Sequence, residues 1–482
     1  MNLGEVLRIV GALVSWTAAA MLPCVPFAAQ EALLGPWLWA IGVTAGVGGG
    51  LWLLMPRPVS INPREGIVIV GLGWVVIVLA GSLPFVFTGV TDSFPAALFE
   101  SVSGFTTTGA TVFEQIEPLP RSILLWRSIS HWIGGMGIIV LGVAILPYLG
   151  VGGAQLFRAE VPGITADRLT PRIAQTARLL WVVYALLSVV LAFVYLALGM
   201  TPFDAINHAM SALATGGFST RTASLAAFSP AIQWVTALFM FMAGVNFTLH
   251  YQVLTGRWKA WFLDPEWRWY FSSMVGVAVV VFVAVALDAG DWSLTTMRHA
   301  VFNVAAVHST TGFATADFAR WPSVAQVLLL GLMFVGAMGG STGGGFKMVR
   351  AAVVAQHTRG EIRKVLHPKA IVVTRLGRIP LRSDVVLNVL AFLGMYVATH
   401  ALGTVVLAAL GSDLLTATSA ALAAMSSIGP GLADVGPAAH YGHLGPAAQV
   451  VLSVLMLLGR LEFYTLLVLL MPGTWSRGGG HR

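Results

Sequence analysis

The chain has 482 residues, of which 57% are hydrophobic and only 10% charged, with a formal net charge of +7. Soluble proteins carry roughly 25% charged residues, so this composition excludes a soluble enzyme and a disordered scaffold. The single cysteine, Cys24, excludes a disulfide-built secreted domain. What remains is a polytopic helical membrane protein, in which each crossing takes ~20 apolar residues.

In chain order the candidate spans are Val6–Phe27, Pro36–Met55, Gly66–Phe87, Ile123–Leu149, Leu179–Gly199, Pro230–Leu254, Trp269–Leu287, Ser323–Val349, Asp384–Leu410 and Ala447–Met471. Four shorter apolar segments lie between long ones, near Phe94–Phe105, Phe203–Ala214, Met297–Ser309 and Leu414–Ser426. They are too short to cross and read as re-entrant helices, whose irregular ends must be buried in protein or line a watery cavity.

An even number of spans puts both termini on one side. With that side cytoplasmic, the inner loops hold most of the bases, including Arg158, Arg168, Arg172 and Arg178, and a second group from Lys347 to Arg382. Only Arg121, Arg127, Arg221, Arg298 and Arg320 fall outside. This satisfies the positive-inside rule and accounts for the basic charge without nucleic acid as a partner. The outer acids, among them Glu31, Asp92, Glu100, Glu114 and Glu117, predict a cation-attracting vestibule beside the alternative of ordinary solvated loops.

The short segments end alike. They read Ser103-Gly-Phe-Thr-Thr-Thr-Gly109, Ser211-Ala-Leu-Ala-Thr-Gly-Gly217, Ala306-Val-His-Ser-Thr-Thr-Gly312 and Ala423-Ala-Met-Ser-Ser-Ile-Gly429. Each places a small residue six before a glycine. In the second, Gly216 and Gly217 compete for that position, and Gly217 is preferred because Phe218 then aligns with Phe313. The predicted fold is all-α and polytopic. Four pseudo-symmetric units of span, pore helix, filter strand and span surround one pore, after two extra spans. The divisions are 1–60 for the extra pair, then 61–150, 151–256, 257–366 and 367–482.

A cation leaving water needs oxygens to replace its hydration shell, and rings of backbone carbonyls supply them in selectivity filters. Glycine permits the unusual φ/ψ values such strands need. The predicted filter is Thr107, Thr108 and Gly109; Thr215, Gly216 and Gly217; Thr310, Thr311 and Gly312; and Ser427, Ile428 and Gly429.

Gly339–Gly345 puts five glycines in seven residues of one span. At ~1 kcal/mol per glycine relative to alanine, that segment is a poor helix and reads as a loop facing a cavity. It is no phosphate loop, because Phe346 separates Gly345 from Lys347 and Met348 follows. The predicted gate comprises Gly340, Ser341, Thr342, Gly343, Gly344, Gly345 and Lys347, with Arg460 of the last span facing the pore or this loop; neutralisation by another carboxylate or by helix-end carbonyls is the alternative for Arg460. Glu462 lies two residues on, and such pairs point apart on a helix. A static kink for close packing is the competing reading of the glycines.

Thr106-Thr-Thr-Gly-Ala-Thr111, Thr215-Gly-Gly-Phe-Ser-Thr220, Thr310-Thr-Gly-Phe-Ala-Thr315, Ile428-Gly-Pro-Gly431, Gly340-Ser-Thr-Gly-Gly-Gly-Phe-Lys347 and Gly459-Arg-Leu-Glu462 resemble the Trk/Ktr/HKT superfamily of potassium transporters, within it the bacterial TrkH branch. The resemblance implies potassium as the ion and no organic cofactor in this chain. It also implies a homodimer with one pore per protomer, a cytoplasmic nucleotide-binding regulator of the TrkA type, and a place in the bacterial inner membrane. In that family serine at the first filter position goes with sodium, so Gly109 favours potassium. A sodium or mixed-cation pathway and an ion-coupled symporter are the alternatives. An intramembrane enzyme would need a nucleophile–base pair or metal cluster that the spacing does not offer. The bases around Arg359, Arg363 and Lys364 are expected to dock the regulator, with membrane lipid headgroups as the competing partner.

Overall fold

A computed structural model of the chain describes residues 1–57, 62–144, 169–370, 373–377 and 379–475. Arg158, Arg168 and Arg378, the loop before Leu169 and the divisions at 60/61 and 150/151 lie outside them, as does the side chain of Arg172.

The chain is a helical membrane protein of four quasi-equivalent units after an N-terminal pair of spans. That pair, Leu3–Gln30 and Leu34–Leu54, packs as a hairpin. Gly11 and Gly48 let its helices touch, because a β-carbon at either would strike the opposite backbone. Among the described residues seven helices are long and apolar enough to cross a membrane, eight if one bent pair counts as a span.

The short helices are Phe94–Phe105, Pro202–Leu213, Leu294–His308 and Leu414–Ser426. Each begins on a side-chain cap, from Ser93, Thr201, Ser293 and Asp413 respectively. Such caps satisfy amides that the first turn leaves unpaired. Each ends by the same device. Thr108 N–H donates to Ser103 C=O at 2.9 Å, Gly216 to Ser211 at 2.9 Å, Thr311 to Ala306 at 2.8 Å and Ile428 to Ala423 at 3.0 Å. The small residue six before each glycine is thus the acceptor that closes a Schellman turn.

Three expected spans are not single helices. Pro230–Leu254 bends by 102° between Ala243 and Phe247. Ser323–Val349 stops at Val335, and a new helix, Met348–Leu366, begins after the glycine segment. Ala447–Met471 breaks after Arg460, where Glu462 and Phe463 take φ of 56° and 54°, and resumes as Tyr464–Leu470. In the first unit the corresponding helix, Arg121–Ala144, is continuous.

Candidate functional site

The four strands share one backbone conformation. Thr107, Thr215, Thr310 and Ser427 have φ of 54°, 55°, 60° and 54°, and Gly109, Gly217, Gly312 and Gly429 have φ of 78°, 83°, 77° and 92°. Gly217, not Gly216, is therefore the geometric counterpart of Gly109. Gly216 is glycine for another reason: a β-carbon there would strike the ring of His131. That ring stacks on Phe218 at 4.1 Å and shares a hydrogen bond with Ser211 at 2.9 Å.

The strands form a directed ring. A β-carbon on Gly109 would collide with the carbonyl of Gly216, one on Gly217 with that of Thr311, and one on Gly312 with that of Ile428. The ring closes from Gly429 to the carbonyl of Thr108, where the gap is widest, at 2.6 Å. The four short helices thus direct their C-terminal ends, which carry partial negative charge, at a common centre. Of the carbonyls of Thr107–Gly109, Thr215–Gly217, Thr310–Gly312 and Ser427–Gly429, only that of Gly429 accepts a hydrogen bond among the described residues, from Tyr441 at 2.6 Å. Buried carbonyls are almost always partnered. Unpartnered carbonyls converging on one centre are the kind of oxygen donor that can replace a cation's hydration shell.

Behind each strand a polar clamp ties it to its own helix. Glu100 accepts from Thr111 Oγ1 and Val112 N at 3.1 Å, His208 meets Ser219 at 2.9 Å, Asn303 donates to Thr315 at 3.3 Å, and Ser419 accepts from Leu432 N at 2.9 Å. Sequence reasoning did not single out these clamps, because their residue types differ from unit to unit. It also placed Glu100 in the vestibule. Glu100 is instead buried, and Arg127 neutralises it at 2.7 Å.

The glycine segment lies directly beneath the ring. Gly344 N–H donates to Thr310 Oγ1 at 2.7 Å, and a β-carbon on Gly344 would strike the carbonyl of Ser426. Thr342 Oγ1 donates to the carbonyls of Leu213 at 3.0 Å and Ala243 at 3.2 Å. Gly340 C=O accepts from Phe247 N at 3.1 Å, and Ser341 caps Met338 C=O at 2.6 Å. Gly345, at φ 81°, packs on Gly336, and the Lys347 ammonium donates to Gly343 C=O. Arg460, 2% exposed, donates to Thr342 C=O at 2.8 Å and to Gly134 C=O at 3.3 Å. Glu462 pairs with Arg350, not Arg460. Oε1 of Glu266 accepts from Gly339 N at 2.7 Å and from Val349 N at 3.0 Å, holding both stems of the loop.

Lys347 and Arg350 are therefore buried around the loop and are no part of a basic surface. The exposed bases of that stretch begin with Arg359 and continue through Arg363, Lys364 and Lys369.

Residues 40–474 match the family model TrkH, described as a cation transport protein. The chain is 39% identical to the Trk system potassium uptake protein TrkH of Halomonas elongata, over 99% of this chain and 100% of that one. It is 39% identical to the protein of that name from Escherichia coli K12, over 90% of each. The crystal structure of the potassium transporter TrkH from Vibrio parahaemolyticus superimposes with a TM-score of 0.91 at 38% identity, covering 99% of this chain and 100% of that chain. With its repeated strands, interrupted span and full-length likeness, the chain belongs to the TrkH family of cation transport proteins.

Proposed function

We propose that this chain carries potassium into the cell across the bacterial inner membrane. Ions pass through the ring formed by Thr107–Gly109, Thr215–Gly217, Thr310–Gly312 and Ser427–Gly429, and the Gly340–Gly345 loop closes the path from below. The observation that carries the reading is the set of filter carbonyls, all but that of Gly429 without a protein donor among the described residues. Backbone oxygens replace the hydration shell of a large monovalent cation without the binding strength that carboxylates would impose. Glycine at all four ring positions, and relatives named as potassium uptake proteins, support potassium as the ion.

Closure rests on the loop and Arg460. Under the ring the loop fills the space that an ion must cross, and Arg460 places a positive charge there. A charge repels a cation by about 4 kcal/mol at 4 Å if the effective dielectric is about 20. The pore-bearing units are 61–150, 151–256, 257–366 and 367–482, after the extra pair 1–60. The protein works as a homodimer with both termini cytoplasmic. A TrkA-type nucleotide-binding regulator docks on the exposed bases after Met348 and opens the loop.

The test is rubidium uptake into liposomes holding the purified chain, with potassium and sodium as competitors. Potassium should compete far better than sodium, and flux should be low without the regulator. Equal competition would overturn the potassium assignment, and no flux in the loop-deleted chain would overturn the pore.

A further inference from the structure

We infer that Tyr441 is a specificity-determining residue of the filter, acting through the carbonyl of Gly429. The inference rests on the filter reading above. Tyr441 lies well outside the repeated motif, in the outer loop before the last span, and its phenol donates to Gly429 C=O at 2.6 Å. The side chain is 3% exposed and packs on Phe99 of the first pore helix, with ring centroids 5.4 Å apart. Its amide donates to Thr111 C=O at 2.8 Å. Tyr441 therefore bridges the fourth strand and the first. That is the joint where the ring is loosest, since an added β-carbon on Gly429 would meet its neighbour's carbonyl at 2.6 Å, a milder clash than the 1.9, 2.1 and 1.8 Å at Gly109, Gly217 and Gly312.

The consequence is a broken symmetry at the outermost level. The carbonyls of Gly109, Gly217 and Gly312 have no protein donor among the described residues, and these glycines are half-buried where the pore opens. Gly429 is buried, and its oxygen is turned toward a phenol that sits in the protein core. A carbonyl engaged by a donor is held in one direction and offers less electron density to an ion. The outer site thus presents three free oxygens and one withheld. Number and field strength of coordinating carbonyls set preference among monovalent cations, so Tyr441 tunes selectivity from outside the pore.

Tyr441→Phe removes the donor and keeps the ring that packs on Phe99. Freed, the fourth carbonyl turns to the ion. The preference for rubidium over sodium in competitive liposome uptake should rise about threefold or more, the ratio represented by a typical net hydrogen bond. Tyr441→Met, an apolar filler without a donor, should move the ratio the same way. Thermal unfolding in potassium, sodium and N-methylglucamine chlorides gives a second readout without flux, and the extra stability conferred by potassium should grow in both variants. An unchanged or lowered preference with an unchanged potassium increment overturns the role of Tyr441. A wild-type chain with no preference in either assay overturns the filter reading itself.

Discussion

Arg350 donates to Glu462 at 2.5 Å across 112 residues of sequence, joining the helix below the glycine loop to the break in the last span. Both groups are nearly buried, and the guanidinium also lies 4.0 Å from the centre of the Phe392 ring. Breaking a buried pair by removing one partner costs about 3–5 kcal/mol, because the other charge is stranded. Arg350→Ala and Glu462→Ala should each lower the unfolding temperature of the detergent-solubilised protein. The double variant should lose less than the sum of the two. Strict additivity would mean that the contact contributes nothing.

Arg460 holds the loop through Thr342 C=O, a main-chain partner that no substitution at Thr342 removes. Hydrogen bonds from charged groups contribute about 1.5–3 kcal/mol. Arg460→Ala should therefore raise rubidium uptake without the regulator by roughly tenfold or more. Arg460→Lys keeps the charge without the planar fork and should fall between. Lower uptake in both, with normal unfolding curves, would show that Arg460 supports the open pore.

Glu266 binds both stems of the same loop through one oxygen. Glu266→Gln retains an acceptor and should change basal uptake little. Glu266→Ala retains none and should raise it. In a chain lacking Gly343–Gly345 the alanine substitution should add nothing further, since residues acting through one element are not additive. An equal effect in both backgrounds would place Glu266 outside the gate.

In Gly109→Ser the new β-carbon meets the Gly216 carbonyl of the next strand. A non-glycine residue in the left-handed region adds about 1–2 kcal/mol of strain. Gly109→Ala and Gly109→Ser should lower potassium preference alike, and more than they lower total uptake. A loss confined to serine would mean that the hydroxyl, not the displaced carbonyl, is responsible.

Charge reversal at Arg359, Arg363 and Lys364 should weaken co-purification with a cytoplasmic regulator while leaving the chain inserted. These side chains are exposed on the helix that begins below the loop. Undiminished co-purification would leave them as topology signals only.

The pore helices were legible because two independent signals coincide: an apolar run too short to cross, and a glycine after small hydroxyl residues. The sequence reading of Phe94–Phe105 and Leu414–Ser426 matches the helices residue for residue. The breaks at Gly244–Asn246 and Leu461–Phe463 were not legible. Val245 and Leu461 are apolar and buried, and hydropathy registers composition without regard to backbone direction. That Arg460 faces the polar interior was readable because an isolated charge in a span demands a polar partner; that the partner is the loop and not the pore was not. Glu266 and Tyr441 were not, because each stands at the edge of a span, where a carboxylate or a phenol is ordinary. Only the three-dimensional path of the chain brings Glu266 to Gly339 and Tyr441 to Gly429.

The directed ring is made by one continuous chain, and that changes how such a pore can vary. In an assembly of four identical subunits every substitution is made in quadruplicate, so the coordination shell shifts all at once or not at all. Here His131 can press on Gly216 alone, Pro430 can lie against Gly312 alone, and the phenol of Tyr441 can hold one oxygen and leave its counterparts untouched. Inheritance can therefore alter the shell one quarter at a time.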